Sequence, residues 1–382
     1  MGELQYPQPL TNPERLTHPD QLRALAILLM VMVHAAATWT PRDVSMTSFL
    51  AFIISGLGGL AAPLFVTIGG WGMARSRLTK RKIIIRGGFL FACQILVNLA
   101  APHLFEPFTP GVLSLFAITI LFSPLWLAAI RAKWKNGAPI WPVILTIIVF
   151  SPWIFPAAMG PSNWDFRVHT PTITSAFQHL FTTGTYPLIP WLAFAMLGAI
   201  IADQTTATRA EKQPNSTFTS ATENHSGDHT TTPSIWYLLI TGIAFFFMAL
   251  GAATSQDIPL ALPNGKAVLT FFPANTPFLI CAFTGVGILW QVSKNLPHYQ
   301  PLSDLGQRSL TVYVVHFIPF SFLYRLDEIG EWSTMTCSLV VLAYTLLWIP
   351  LAHLHARLIP TWSLEHLLRN LVAQPIRKLE NR

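Results

Sequence analysis

Residues 20–34 read Asp20-Gln-Leu-Arg23-Ala-Leu-Ala-Ile-Leu-Leu-Met-Val-Met-Val-His34. No polar side chain stands between the arginine and the histidine, and the surrounding apolar segment, 22–39, is close to the roughly 20 residues a helix needs to cross a bilayer. Nine further apolar segments follow: 50–74, 83–101, 111–130, 139–157, 186–202, 235–254, 270–292, 309–324 and 334–356. The second, with Gly56, Gly58 and Gly59, reads as a short helix leading into the true span. The whole chain agrees with these segments. Of 382 residues, 52% are hydrophobic and 11% charged, whereas a soluble domain carries about 25% charged residues. Many of the 30 prolines and 22 glycines fall inside apolar runs, as membrane helices tolerate. Cys93, Cys281 and Cys337 have no C-x-x-C spacing, which argues against a disulfide framework, a zinc site or a redox motif. Composition therefore excludes a soluble enzyme, a secreted disulfide module and a nucleic-acid reader. The expected fold class is all-α: one polytopic membrane bundle of about ten spans.

Basic residues accumulate on the cytoplasmic side of membrane proteins. Here Arg75, Arg77, Lys80, Arg81, Lys82 and Arg86 crowd one connection and Arg131, Lys133 and Lys135 another. The tail holds Arg357, Arg369, Arg377, Lys378 and Arg382. Ten spans with the N-terminus inside leave only Arg42, Arg167, Lys266 and Arg325, of 24 Lys and Arg, facing outward. The opposite loops carry Asp43, Glu106, Asp165, Asp257, Asp327, Glu328 and Glu331. Both termini are thus expected to be cytoplasmic, in a multi-pass protein of the cell membrane, with a bacterial plasma membrane the best fit. The expected organisation is an N-terminal segment (1–21), about six spans (22–203), a Ser/Thr/Asn-rich cytoplasmic linker (204–234), about four spans (235–356) and a basic tail (357–382). Residues 24–33 before Ala35-Ala36-Ala37 mimic a signal peptide. The acidic residues Glu3, Glu14 and Asp20 ahead of them argue against cleavage. The sequons at Asn215 and Asn224 fall in the linker.

Ionisable groups at membrane depth are functional candidates. Arg23 and His34 are eleven residues apart, nearly three helical turns, so they share a face about 16 Å apart. Asp20, one turn before Arg23, can hold its guanidinium. A guanidinium at one end can grip a phosphate, and a neutral imidazole near the other can take a proton from a hydroxyl or amine. Coenzyme A matches that layout, with phosphates at one end and a thioester at the tip of a long arm. A boundary arginine and a structurally bonded histidine would also fit these two residues. A second cluster, Gly306-Gln-Arg308-Ser309-Leu-Thr311-Val-Tyr313-Val-Val-His316, opens the ninth span. Its polar groups either line a cavity, with His316 orienting His34 or the acceptor, or bond between helices. Arg81, Lys82 and Arg86 could hold nucleotide phosphates, although basic inner loops are ordinary. Gln94 and Asn98 share a face of the third span and either face a cavity or join helices. Tyr186-Pro-Leu-Ile-Pro190-Trp191 reads as an aromatic belt or a broken helix beside a site. His353 and His355 read as snorkelling near the boundary, and His169 and His179 match no metal spacing. No Asp or Glu falls mid-span, which disfavours an ion-coupled carrier.

The Arg23-x10-His34 pattern resembles the acyltransferase-3 family, whose members move acyl groups onto extracytoplasmic glycans and lipids. Other stretches are similar to the heparan-α-glucosaminide N-acetyltransferase family: Ala62-Pro63-Leu64-Phe65-Val-Thr-Ile-Gly69-Gly70, Pro110-Gly111-Val112-Leu113-Ser114, Tyr186 to Trp191, Arg308-Ser309-Leu310-Thr-Val-Tyr313, and Ser363-Leu364-Glu365-His-Leu-Leu-Arg369. They occur in one order along nearly the whole chain. Two departures stand out: Ala24 replaces a glycine of the heparan-type pattern, and residues 35–48 hold no histidine, so by position only His34 can serve. The resemblance implies a membrane O- or N-acyltransferase with acyl-CoA, in its simplest form acetyl-CoA, as co-substrate and no metal. The acceptor would be a sugar or glycolipid of the cell envelope. The expected roles are His34 and His316 in catalysis, Arg23, Arg81, Lys82 and Arg86 on the donor, and Asp20, Ser309, Tyr313, Asn98 and Trp191 around the substrate. A facilitative transporter or exporter of a glycan or lipid precursor is the alternative; the protein's surroundings are membrane lipids, and nucleic acid is not a partner.

Overall fold

The computed structural model describes residues 18–40, 49–211 and 232–374. The sequons, Arg42, Asp43 and the basic residues beyond 374 lie outside them. The described elements are α1 (His18–Thr38), α2 (Phe49–Gly58), α3 (Ala61–Arg75), α4 (Lys80–Ala100), α5 (Val112–Leu121), α6 (Ser123–Arg131), α7 (Trp141–Ile154), α8 (Trp164–Val168), α9 (Ile173–Gln178), α10 (Leu188–Glu211), α11 (Thr232–Ser255), α12 (Thr276–Asn295), α13 (Gln300–Gln307), α14 (Ser309–Val315), α15 (Phe317–Leu323), α16 (Leu326–Gly330), α17 (Thr334–Leu358) and α18 (Leu364–Ala373). A two-residue parallel pair, β1 (Ala261–Leu262) with β2 (Leu269–Thr270), is the one sheet among the described residues. The fold is an all-α membrane bundle.

Every expected apolar segment falls on a helix or a helix pair, because lipid leaves a backbone no partner but itself. The count differs in kind. Among the described residues six helices are long and apolar enough to cross a membrane, and up to eight spans result if two bent pairs each count once. These pairs are α5 with α6, bent by 67°, and residues 173–183 with 188–204, bent by 49°. Segments 139–157 and 309–324 are shorter apolar helices. The expected helix-to-span entry at 50–74 is realised as α2 followed by α3. α10 continues to Glu211 and α11 begins at Thr232, and the rest of the expected linker lies outside the described residues. Polar N-caps punctuate the starts. Asn275 accepts from Phe278 N, Ser333 from Thr336 N and Ser363 from His366 N, each satisfying an amide the helix cannot.

α1 is the hub. It packs against α2, α3, α12, α13, α14 and α17, which places its charged face inside protein rather than lipid. Two close crossings fix its neighbours. A Cβ on Gly306 of α13 would lie 1.8 Å from the Asp20 carbonyl oxygen of α1. A Cβ on Gly198 of α10 would lie 1.9 Å from the Thr67 carbonyl oxygen of α3, and one on Gly70 would lie 2.0 Å from the Ala195 carbonyl oxygen. Small residues permit this approach where lipid provides no hydrophobic drive. Gly198→Ala should force α3 and α10 apart, at about 1–3 kcal/mol for overpacking. The checking measurement is a melting curve of the detergent-solubilised protein, expected to fall by several degrees.

Arg167, expected among the few outward-facing cations, is wholly buried. Its guanidinium donates to the carbonyls of Met159, Gly160, Pro161, Thr183 and Gly184, clamping the connection between α7 and α10. Burial pulls its pKa down to about 10, which leaves it charged at neutral pH. Glu106 joins this same side. It accepts from Thr170 N (2.7 Å) and pairs with His169 Nδ1 (2.6 Å), and these bonds hold its carboxyl below the usual range.

Candidate active site

Two histidines meet where α1 passes the break between α14 and α15. His34 Nδ1 lies 2.9 Å from His316 Nε2, with the rings nearly parallel and 5.1 Å between centroids. Phe317 and Tyr313 close around His34, at 4.6 and 6.0 Å between ring centroids. His316 is fully buried, while His34 is half-buried. The imidazole that the sequence placed at membrane depth therefore turns into the bundle.

The break itself explains the arrangement. α14 ends and α15 begins at His316, and its carbonyl also accepts from the Tyr344 hydroxyl of α17 at 2.7 Å. The His316 ring folds back so that Nδ1 reaches the Val312 carbonyl at 3.1 Å. A carbonyl can only accept, so in the neutral ring the proton of His316 sits on Nδ1 and its Nε2 presents a lone pair. His34 must then donate from Nδ1, which leaves the lone pair of its own ring on Nε2. Among the described residues no protein group bonds that atom. One backbone carbonyl thus sets two tautomers in series and produces a neutral imidazole with its basic nitrogen available.

The other end of α1 holds the guanidinium. Arg23 Nη1 donates to Asp20 Oδ1 at 2.8 Å. Asp20 is buried, and the arginine side chain keeps 32% of its surface accessible. Beside it, Gly72 of α3 presents only hydrogen, and a Cβ there would sit 3.8 Å from Nη2. α3 then runs past the site, with Phe65 stacked against Tyr313 at 6.4 Å.

The remaining expected residues divide. Tyr313 is buried beside His34. Thr311, from the same cluster, does not face a cavity: its hydroxyl donates to Glu365 Oε2 at 2.5 Å and accepts from Leu364 N. Ser309, at the head of α14, has no bond to the histidine pair. Asn98 is buried, and both its amide hydrogens go to the carbonyls of Pro107 and Thr109. It accepts from Gln94, so it fastens the loop after α4 and has no donor left for a ligand. Trp191 is fully buried among Tyr186, Phe194, Phe271 and Phe278, with its indole N–H unpartnered. Arg81 clasps the end of α18 by donating to the carbonyls of Leu371, Val372 and Gln374, and Lys82 reaches the Arg77 carbonyl. With Arg86 they stand on α4, which packs against α5, α14, α15 and α18. The nearby Arg131 is paired through both sides of its fork with Asp203. His353 does not snorkel: its Nδ1 lies 2.7 Å from Asp304 Oδ2. His355 Nε2 bonds the Trp362 carbonyl. Among the described residues no group of three or more His, Cys, Asp or Glu could hold a metal.

Glu365 had no expected role. Its carboxylate accepts from Leu310 N (2.7 Å) and Thr311 N (3.1 Å), capping the N-terminus of the helix that ends at His316. A carboxylate among a helix's first amides is favoured by the helix dipole and by the amides themselves. Glu365→Gln should destabilise the solubilised protein by about 1–2 kcal/mol, read as a lowered melting temperature. Tyr344 was also unforeseen, although a tyrosine in the middle of an apolar span was itself the signal.

The comparison with known families bears on this geometry. The sequence pattern of the acyltransferase-3 family, described as an acyltransferase domain, matches residues 17–354, from just before α1 to within one turn of the end of α17. The chain belongs to the acyltransferase-3 family. It is therefore a membrane acyltransferase by family. The match spans both histidines, Arg23 and Tyr344. No curated protein sequence matches the chain.

Proposed function

We propose that this acyltransferase takes an acyl group, most simply acetyl, from acyl-CoA and places it on a hydroxyl or amine of a sugar or glycolipid. The observation that carries the reading is the His34–His316 pair, which leaves His34 Nε2 a free base at the end of the α1 face that begins with Arg23. As the acceptor oxygen or nitrogen attacks the thioester carbonyl, Nε2 takes its proton. The carbon–sulfur bond breaks, and coenzyme A leaves as the thiol after the imidazolium returns that proton. His316 stabilises the imidazolium by accepting from Nδ1. Arg23, steadied by Asp20, holds the donor's phosphates as a guanidinium does. With the basic loops on the cytoplasmic side, the donor enters there and the acceptor is met near the opposite face. The ordered heparan-type stretches favour a sugar acceptor.

Two cavities open at the ends of the bundle. One is lined by Thr38, Thr40, Tyr324, Asp327 and Glu328, the other by Arg131, Lys133, Trp141, Asp203 and their neighbours. Neither of these two is lined by Arg23 or His34. The test is release of coenzyme A thiol from acetyl-CoA by the reconstituted protein, with a membrane extract as acceptor. Arg23→Gln should raise KM for acetyl-CoA about tenfold or more, the worth of a lost charge-assisted hydrogen bond, with a much smaller change in kcat. Movement of a glycan or lipid across the bilayer without thiol release would replace this reading with a transporter.

A further inference from the structure

Tyr313 precedes His316 by one turn of α14. Gly306, just before α14, meets Asp20 of α1, and His316 meets His34. α14 therefore climbs alongside α1, and Tyr313 lies on the Arg23 side of the histidine pair. Its ring stands edge-on to the His34 imidazole at 6.0 Å between centroids and to His316 at 5.6 Å. It also stacks on Phe65 of α3, 6.4 Å away with 14° between the planes. Phe65 and Gly72 share a face of α3, two turns apart, and a Cβ on Gly72 would lie 3.8 Å from Arg23 Nη2. The phenol is thus held at the histidine end of the α1–α3 face that begins at Arg23.

Tyr313 is 3% exposed, yet its hydroxyl bonds no group among the described residues. Nor is that oxygen one of the sealed, unpartnered polar atoms of the bundle, so a small group can reach it. His34 Nε2 shares both properties. The two atoms are complementary: Nε2 holds a lone pair, and the phenol has an O–H to give. Nearby hydroxyls are committed elsewhere, that of Tyr344 to the His316 carbonyl and that of Thr311 to Glu365. A buried donor without a partner is unfavourable, and acyl transfer creates the partner. When the acceptor attacks the thioester, the carbonyl carbon becomes tetrahedral and negative charge gathers on its oxygen. We infer that the Tyr313 hydroxyl donates to this oxyanion, which makes Tyr313 a catalytic residue beside His34. The inference rests on the proposed acyl transfer at His34. As the acceptor's bond to carbon forms, Nε2 takes the acceptor's proton and the carbonyl π electrons move to the oxygen held by Tyr313. The double bond then re-forms, the carbon–sulfur bond breaks, and sulfur leaves with its electron pair to be protonated by the imidazolium. The phenolic proton stays on Tyr313 throughout.

The test compares the full-length wild type with Tyr313→Phe in nanodiscs, by thiol release from acetyl-CoA with a membrane extract as acceptor. The variant keeps the ring and its packing and loses only the hydroxyl. Its kcat should fall about 10²-fold, the usual loss when one oxyanion donor is removed, with KM for acetyl-CoA unchanged. The melting temperature should hold or rise, because the lost hydroxyl bonds nothing in the free protein. A second readout is inhibition by trifluoroacetonyl-coenzyme A, whose ketone hydrates to a tetrahedral centre. Its inhibition constant should rise about tenfold in Tyr313→Phe, the worth of one hydrogen bond, while KM for the planar thioester stays put. A tyrosine that merely packs against His34 would not separate these two constants. Wild-type kcat in Tyr313→Phe would overturn the assignment, as would a slower variant that binds the tetrahedral inhibitor as tightly as the wild type. Turnover of His34→Ala is scored separately: if it collapses while Tyr313→Phe behaves as wild type, only the oxyanion donor is lost and the base remains.

Discussion

Replacing His34 by alanine should lower the rate of acyl transfer by on the order of 10² to 10⁴, the usual contribution of a positioned general base. The effect should fall on kcat. His34 lies at the far end of α1 from Arg23, so donor binding survives and KM for acetyl-CoA changes little. The fold should survive too, since the only side-chain hydrogen bond His34 makes among the described residues is to His316. Measuring thiol release and the melting temperature on one preparation separates the two outcomes. Unchanged turnover with normal melting would remove His34 from the chemistry.

The second large effect belongs to His316, which touches His34 and positions it. His316→Phe keeps a ring among Phe317, Phe320 and Trp348 but deletes the acceptor for His34 Nδ1. The His34 proton then has no reason to stay on Nδ1, and the tautomer with a basic Nε2 is no longer enforced. A wrong tautomer is costly where histidine acts as a base, so kcat should fall on the order of 10². His316→Gln places an amide oxygen near the lost Nε2 and should recover part of that loss, with KM for acetyl-CoA unaltered in both variants. A purely structural His316 would instead give two variants that lose melting temperature and activity together. The graded rescue is the signature of tautomer control.

The helical segments were legible because they follow from local periodicity, although among the described residues they make six to eight spans and not ten. Apolar runs of about 20 residues must be helical in lipid, and eleven residues bring two side chains to one face. The site's second half was only partly legible. His316 stood out as an ionisable group at membrane depth, but its pairing spans 282 positions and depends on how α14 docks on α1, which no local rule gives. Nor does a hydropathy profile contain the break at His316, the Tyr344 hydroxyl that makes the break tolerable, or the Glu365 cap that holds α14 from its other end. Arg81 and Asn98 show the converse. A cation near a membrane boundary and a polar group in a span are equally good at closing a helix end and binding a loop, and these two bond backbone carbonyls. Arg167 is a similar case, with a charge satisfied by the carbonyls of its own loop rather than by solvent.

The central claim is that α1 lays one substrate along its face, phosphates at Arg23 and thioester at His34. A cryo-electron-microscopy map of the protein with a non-hydrolysable acetyl-CoA analogue tests it most directly. The account predicts continuous density from the Arg23 guanidinium between α1 and α3 to His34, with the carbonyl carbon of the analogue within contact distance of Nε2. Phosphates bound away from Arg23, or an acyl end that stops short of the His34–His316 pair, would contradict it.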